Sequence, residues 1–253
     1  MHRRNFLRAT SIVCASSTVG LPDAMAAHRY RGCCQVPVAT QRWLPFGAPR
    51  ISTFTSSSPL LPSSGDADFD RALGRQLVRL ANAFSVRPGF AYVDDKAGLN
   101  ALASSETRLH STQGTVMFGL RFMRSLLKEG VGGDIAVLGV CAHEFAHIHQ
   151  FYSDDYSQLS AQHDTAKLVE LHADYLAGYF LGTVKTQRPA ISLQRFADFL
   201  YRAGTYDFTD PEFHGTPKER VQAAEQGLRA AAADASFAAA ASMGKTYVAA
   251  HFA

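Results

Sequence analysis

The chain carries little net charge: 25 basic against 22 acidic residues in 253, a formal +3 at pH 7 with histidine neutral. Removing residues 1–26, read below as a signal peptide, takes away three arginines and one aspartate and leaves +1. So small an excess gives no support to a nucleic-acid role, which needs a basic footprint. Long apolar runs are missing as well. The stretch Ala9–Leu21 falls short of the about 20 residues that cross a bilayer, so no transmembrane segment is expected once the signal is removed. No internal repeat is visible. Cysteine is scarce, at four residues. Cys14 follows Val13, a poor lipobox, which argues against lipidation. Adjacent Cys33 and Cys34 could each seek a separate partner, and their pairing stays open. Cys141 reads as a small buried apolar residue, and no zinc-ribbon spacing is present.

What the chain does have is apolar content of 47%, enough for one sizeable core with a small appendage. Residues 1–26 lie outside that core. Arg3 and Arg4 precede Phe6 and Leu7, a mildly apolar stretch follows, and Ala24-Met25-Ala26 supplies small residues where a signal peptidase reads. The paired arginines resemble a twin-arginine signal, which exports folded proteins, so a periplasmic or secreted location is expected. Residues 27–65, rich in Pro, Ser and Thr, read as an extended lead-in or linker without a pro-segment motif. Residues 66–253 are expected to form a single domain. Its elements are an amphipathic helix over Asp68–Phe84, strands at Phe90–Val93, Gly98–Ala103 and Thr115–Phe118, and helices at Leu193–Ala203, Pro217–Ala232 and the Ala-rich end. The class is α+β: mostly helical, with a small sheet beside one central helix.

That central helix carries the chemistry. His143 and His147 stand four apart, so on a helix both imidazoles leave one face and can grip one metal ion. Glu144 sits where its carboxylate can reach a water on that ion, the His-Glu-x-x-His arrangement of zinc peptidases. Asp134 is the expected N-cap. Ile135, Val137, Leu138, Val140, Phe145, Ile148 and Phe151 lie around nearly the whole circumference, which marks a buried helix. Three polar side chains in such a helix need a reason, and a metal supplies one.

A hydrolytic zinc takes three protein ligands and keeps one position for water. The extended pattern with a third histidine would need Gly at Gln150 and His at Ser153, so a metzincin is excluded. A second helix over 164–183, capped by Asp164, offers carboxylates instead. Glu170 lies far enough beyond His147 for a turn and an antiparallel return, and is assigned as third ligand. Asp174, one turn on, is assigned to accept from the far nitrogen of a ligand histidine and fix its tautomer. His163 and His172 compete for the third position. His172 points away from the Glu170 face and His163 sits in a polar loop, so both fit a surface or supporting place better.

The residues His143-Glu144-Phe145-Ala146-His147-Ile148-His149-Gln150 and Glu170-Leu171-His172-Ala173-Asp174-Tyr175-Leu176-Ala177-Gly178 resemble the gluzincins. The likeness is to the bacterial neutral zinc metallopeptidases and the HtpX-like endopeptidases. It extends to Asn100–Ala103, Gly114–Phe118 and His214–Arg220, covering about 68–228. The chain departs from the HtpX-like pattern in lacking membrane spans there. The resemblance implies a zincin-like metallopeptidase domain, one Zn2+ held by His143, His147 and Glu170, and Asp174 in support.

The expected activity is hydrolysis of a peptide or protein substrate, with Glu144 as general base. His214, on a loop before a helix, is the candidate oxyanion donor. Thr115–Phe118 fits either an edge strand that could align a peptide by strand addition or an ordinary core strand. Loops 151–163 and 206–214 are expected to set substrate preference. Two other readings remain: a non-catalytic, zinc-stabilised exported binding or chaperone-like protein, and a zinc amidase acting on a non-peptide amide.

Overall fold

The computed structural model describes residues 55–96 and 98–253. The expected signal peptide, most of the lead-in, and Cys14, Cys33 and Cys34 lie outside the described residues. The elements run α1 (Ala67–Phe84), β1 (Gly89–Val93), β2 (Ala101–Ser104), β3 (Thr115–Gly119), α2 (Leu120–Lys128), α3 (Gly133–Ser153), α4 (Asp155–Ser160), α5 (Lys167–Gln187), α6 (Gln194–Ala203), α7 (Pro217–Ala232) and α8 (Phe237–Phe252). This is a mostly helical α+β fold with a three-stranded sheet. Among the described residues no helix is long and apolar enough to cross a membrane.

Local chemistry explains most of the boundaries. The Asp66 carboxylate accepts from the backbone N–H groups of Asp68 and Phe69, so α1 starts one residue earlier than the apolar spacing predicts. Thr216 and Glu219 close a capping box ahead of α7, with Pro217 at the first helical position. Leu61 pairs with Tyr92 across the outer side of β1, and Asp70 accepts from the Ser63 hydroxyl and the Ser64 backbone.

Several expectations are corrected. The sheet order is β1-β3-β2, so Thr115–Phe118 is central, not an edge. β1 lies parallel to it on one side and β2 antiparallel on the other, which leaves no free backbone for a peptide to pair with. Gly98 and Leu99 turn into β2 without joining it. Asp134 is not the cap of α3. The chain enters that helix from Gly132 at φ 89°, and Asp134 sits in the first turn. Asp164 does not cap α5 either. Ala166 is the N-cap, its N–H donating to the carbonyl of Pro211, and α5 runs from Lys167 to Gln187. The expected loop 151–163 contains α4. α2 has no counterpart among the sequence expectations; its first N–H groups donate to the distant Asp95 carboxylate.

α3 runs through the middle, packed against α1, α2, α5, α6 and the sheet, and Cys141 within it is fully buried. α5 is also buried around its circumference, where the sequence shows one apolar face, because α3, α4, α7 and α8 all cover it. The α5–α7 contact is the tightest in the fold. A Cβ on Gly227 would stand 1.8 Å from the carbonyl oxygen of Tyr175, and one on Gly178 would stand 2.0 Å from that of Ala224. Backbone meets backbone along this seam, and that closeness brings an α7 arginine to an α5 carboxylate.

Candidate metal centre

His143 and His147, one turn apart on α3, present their rings at an interplanar angle of 86° with the two Nε2 atoms 3.0 Å apart. From α5, Glu170 brings Oε2 to 3.2 Å from His143 Nε2 and Oε1 to 3.4 Å from His147 Nε2. One ligand atom from each of the three residues lies within 4.8 Å of the others, and all three side chains are fully buried. Nitrogen and oxygen ligands around a small tetrahedral cation stand roughly 3.3 Å from one another. The spacing therefore fits an ion bound among them.

The far sides of the rings support the same reading. The His143 Nδ1–H donates to Asp174 Oδ1 at 2.9 Å. Arg220 from α7 grips that carboxylate with both prongs, Nε to Oδ2 at 2.7 Å and Nη2 to Oδ1 at 2.9 Å. Burial alone would push the Asp174 carboxyl up. The Arg220 charge and the His143 hydrogen bond outweigh it and hold the carboxyl below its ordinary value. An ionised Asp174 accepts only, so His143 carries its proton on Nδ1 and turns a lone pair into the cluster. On the other ring the His147 Nδ1–H donates to Gln150 Oε1 at 2.8 Å, with the same result. Two imidazole lone pairs directed at one point in a buried core would suit a cation between them. Burial raises Glu170 too; positive charge and N–H donation from the neighbouring His214, His147 and His143 reverse this and hold it well below the usual carboxylate range, the part a cation would take over once both Nε2 atoms present lone pairs. These residues could hold a metal ion.

Glu144 lies between the two histidines in sequence and is fully buried. His214 reaches Nε2 to 3.7 Å from Glu170 Oε2, and 14% of its side chain is exposed, where the three cluster residues show none. Burial lowers its pKa, with Glu170 opposing, so the ring is neutral at pH 7. Its loop is tied down at two points, Thr205 N–H to Gly215 O at 3.1 Å and Ala166 N–H to Pro211 O at 2.9 Å.

Neither competitor for the third position joins the cluster. His163 is half-buried and its Nδ1 accepts from Thr165. His172 is fully buried, which corrects the surface placement, and both ring nitrogens are engaged, by Gln150 and by the Ala241 carbonyl. Burial pushes its pKa down to about 4. Gln150 and Arg220 escaped the sequence reading. Gln150 follows His147 by three positions on one helix face, a spacing that could have flagged it. Arg220 had only its place in the His214–Arg220 stretch to mark it. No family model, curated protein or solved structure matches this chain.

Proposed function

We propose that the protein is a zinc-dependent endopeptidase of the zincin-like, gluzincin kind, exported by its N-terminal segment. The observation that carries this is the convergence of His143, His147 and Glu170 in a buried core, both imidazoles aimed by far-side acceptors, with the buried Glu144 next to His143 in α3. Zinc, when bound, supplies Lewis acidity and brings the acidity of water close to neutral pH. Glu144 then takes the proton of the attacking water and passes it to the leaving nitrogen as the peptide bond breaks. His214, neutral and at the exposed margin, donates its N–H to the oxygen on which charge develops. Asp174 and Gln150 hold the two imidazoles in one tautomer throughout.

A structural ion has no use for a carboxylate base beside it, which disfavours the binding-protein reading. An amidase acting on a non-peptide amide would use the same groups, and a panel of peptide and non-peptide amides separates the two. The direct test is Glu170→Ala. It should bring zinc from one per chain to near none by elemental analysis, and cleavage should vanish, as it should when a chelator strips the wild type. Full zinc content in that variant would sink the ligand assignment.

The 204–216 loop offers the substrate contact. Tyr206 and Phe208 are 63% and 61% exposed, and Phe208 stacks edge-on at 5.1 Å against Phe213, the neighbour of His214. Bulky apolar substrate side chains fit this surface. The double variant Tyr206→Ser/Phe208→Ser should raise KM for such peptides roughly tenfold with kcat little changed. An unchanged KM would move recognition elsewhere.

A further inference from the structure

We infer that Gln150 and His172 form a one-way relay that sets the tautomer of His147 and ties the metal site to the last helix, α8. The inference rests on the metal reading given above, and its links follow from proton inventory.

The Val169 carbonyl can only accept, and Gln150 Nε2 lies 2.8 Å from it. That settles which end of the amide faces which neighbour. Gln150 Oε1 must therefore face His147, at 2.8 Å, and can only accept. His147 is left with its proton on Nδ1 and a lone pair on Nε2, directed at the cluster. The second N–H of the amide meets His172 Nδ1 at 3.1 Å, which must be a lone pair. The proton of His172 then sits on Nε2 and goes to the Ala241 carbonyl at 3.1 Å. Each member has one role once the previous one is placed.

Gln150 and His172 are fully buried, so water has no route to replace a missing link. α8 also holds the ring from the side: a Cβ on Gly244 would stand 3.0 Å from His172 Cδ2. The two ligand histidines are thus supported by different chemistry. His143 leans on an ionised carboxylate, while His147 leans on a neutral amide whose direction is imposed from 19 residues away in sequence by Val169. Gln150 and His172 are positioning residues: Gln150 touches only the far nitrogen of His147, and His172 acts through Gln150.

The test uses the full protein and Zn2+ alone. Gln150→Met keeps the volume and removes both hydrogen-bonding ends. Competition with a chromogenic chelator should show zinc affinity lowered roughly 10- to 100-fold, with the visible spectrum of the cobalt-substituted protein altered. His172→Phe should shift affinity the same way by a smaller factor. Nitrogen-15 histidine NMR on the metal-free wild type should find His147 protonated on Nδ1, a readout that stands even if Gln150→Met fails to fold. A proton on Nε2 overturns the relay. So does a folded Gln150→Met with wild-type affinity while the wild type binds zinc normally. A wild type that binds no zinc overturns the metal reading, and this inference with it.

Discussion

Glu144→Gln should leave zinc bound at one per chain while cutting kcat on a susceptible peptide by a factor of about 10³. The substitution is nearly isosteric, so α3 keeps its packing, and the ligand atoms of His143, His147 and Glu170 are untouched. What disappears is a site that can take up a proton, hold it and return it to the amine. An amide has no such basicity at neutral pH. Because Glu144 is fully buried, no bulk buffer can stand in for it at the reacting atoms. A fluorogenic peptide assay beside elemental analysis separates the two quantities. Wild-type turnover in a zinc-loaded variant would remove Glu144 from the mechanism, whatever else holds.

The second large effect lies away from the reacting groups. Arg220→Met should destabilise the fold by about 3–5 kcal/mol, because it strands the Asp174 charge in the core. For a domain of this size that lowers the unfolding midpoint by roughly 10 °C. The guanidinium shows 1% exposure and the carboxylate none, so solvent screens neither. The measurement is a denaturant titration of the single variant beside Arg220→Met/Asp174→Asn. Neutralising the stranded carboxylate should recover most of the lost stability. A single variant as stable as the wild type would show that the pair contributes little.

How much of this was legible in the sequence depended on how local each cause is. The α3 helix announces itself through apolar residues on every face and a four-residue histidine spacing, and α7 through Thr216, Pro217 and Glu219. These signals lie within one or two turns of the residues they govern. The misread features have causes far along the chain. The turn that enters α5 is pinned by Pro211, some 45 residues on, which takes the Ala166 N–H. α2 is capped by Asp95, which precedes it by two strands and the loop between them. Sheet order cannot be read from strand patterns alone, so the sequence leaves β3 open between edge and core, and the structure places it in the centre. At the site the grouping of His143, His147 and Glu170 was readable from residue type and spacing. The Arg220 clamp and the Gln150 relay were not, since both depend on which helix lies beside which.

The α5–α7 seam also inverts a common rule of protein engineering. In an exposed helix, glycine to alanine usually gains about 1 kcal/mol through backbone entropy and propensity. At Gly178 or Gly227 the added methyl would land on a main-chain oxygen of the facing helix, 2.0 or 1.8 Å away. Relief requires the helices to part by well over an ångström, and a guanidinium fork seated at 2.7 and 2.9 Å cannot follow that far. A consensus or propensity-guided stabilisation of this chain would thus disturb the Arg220–Asp174–His143 arrangement through two glycines that take no part in it.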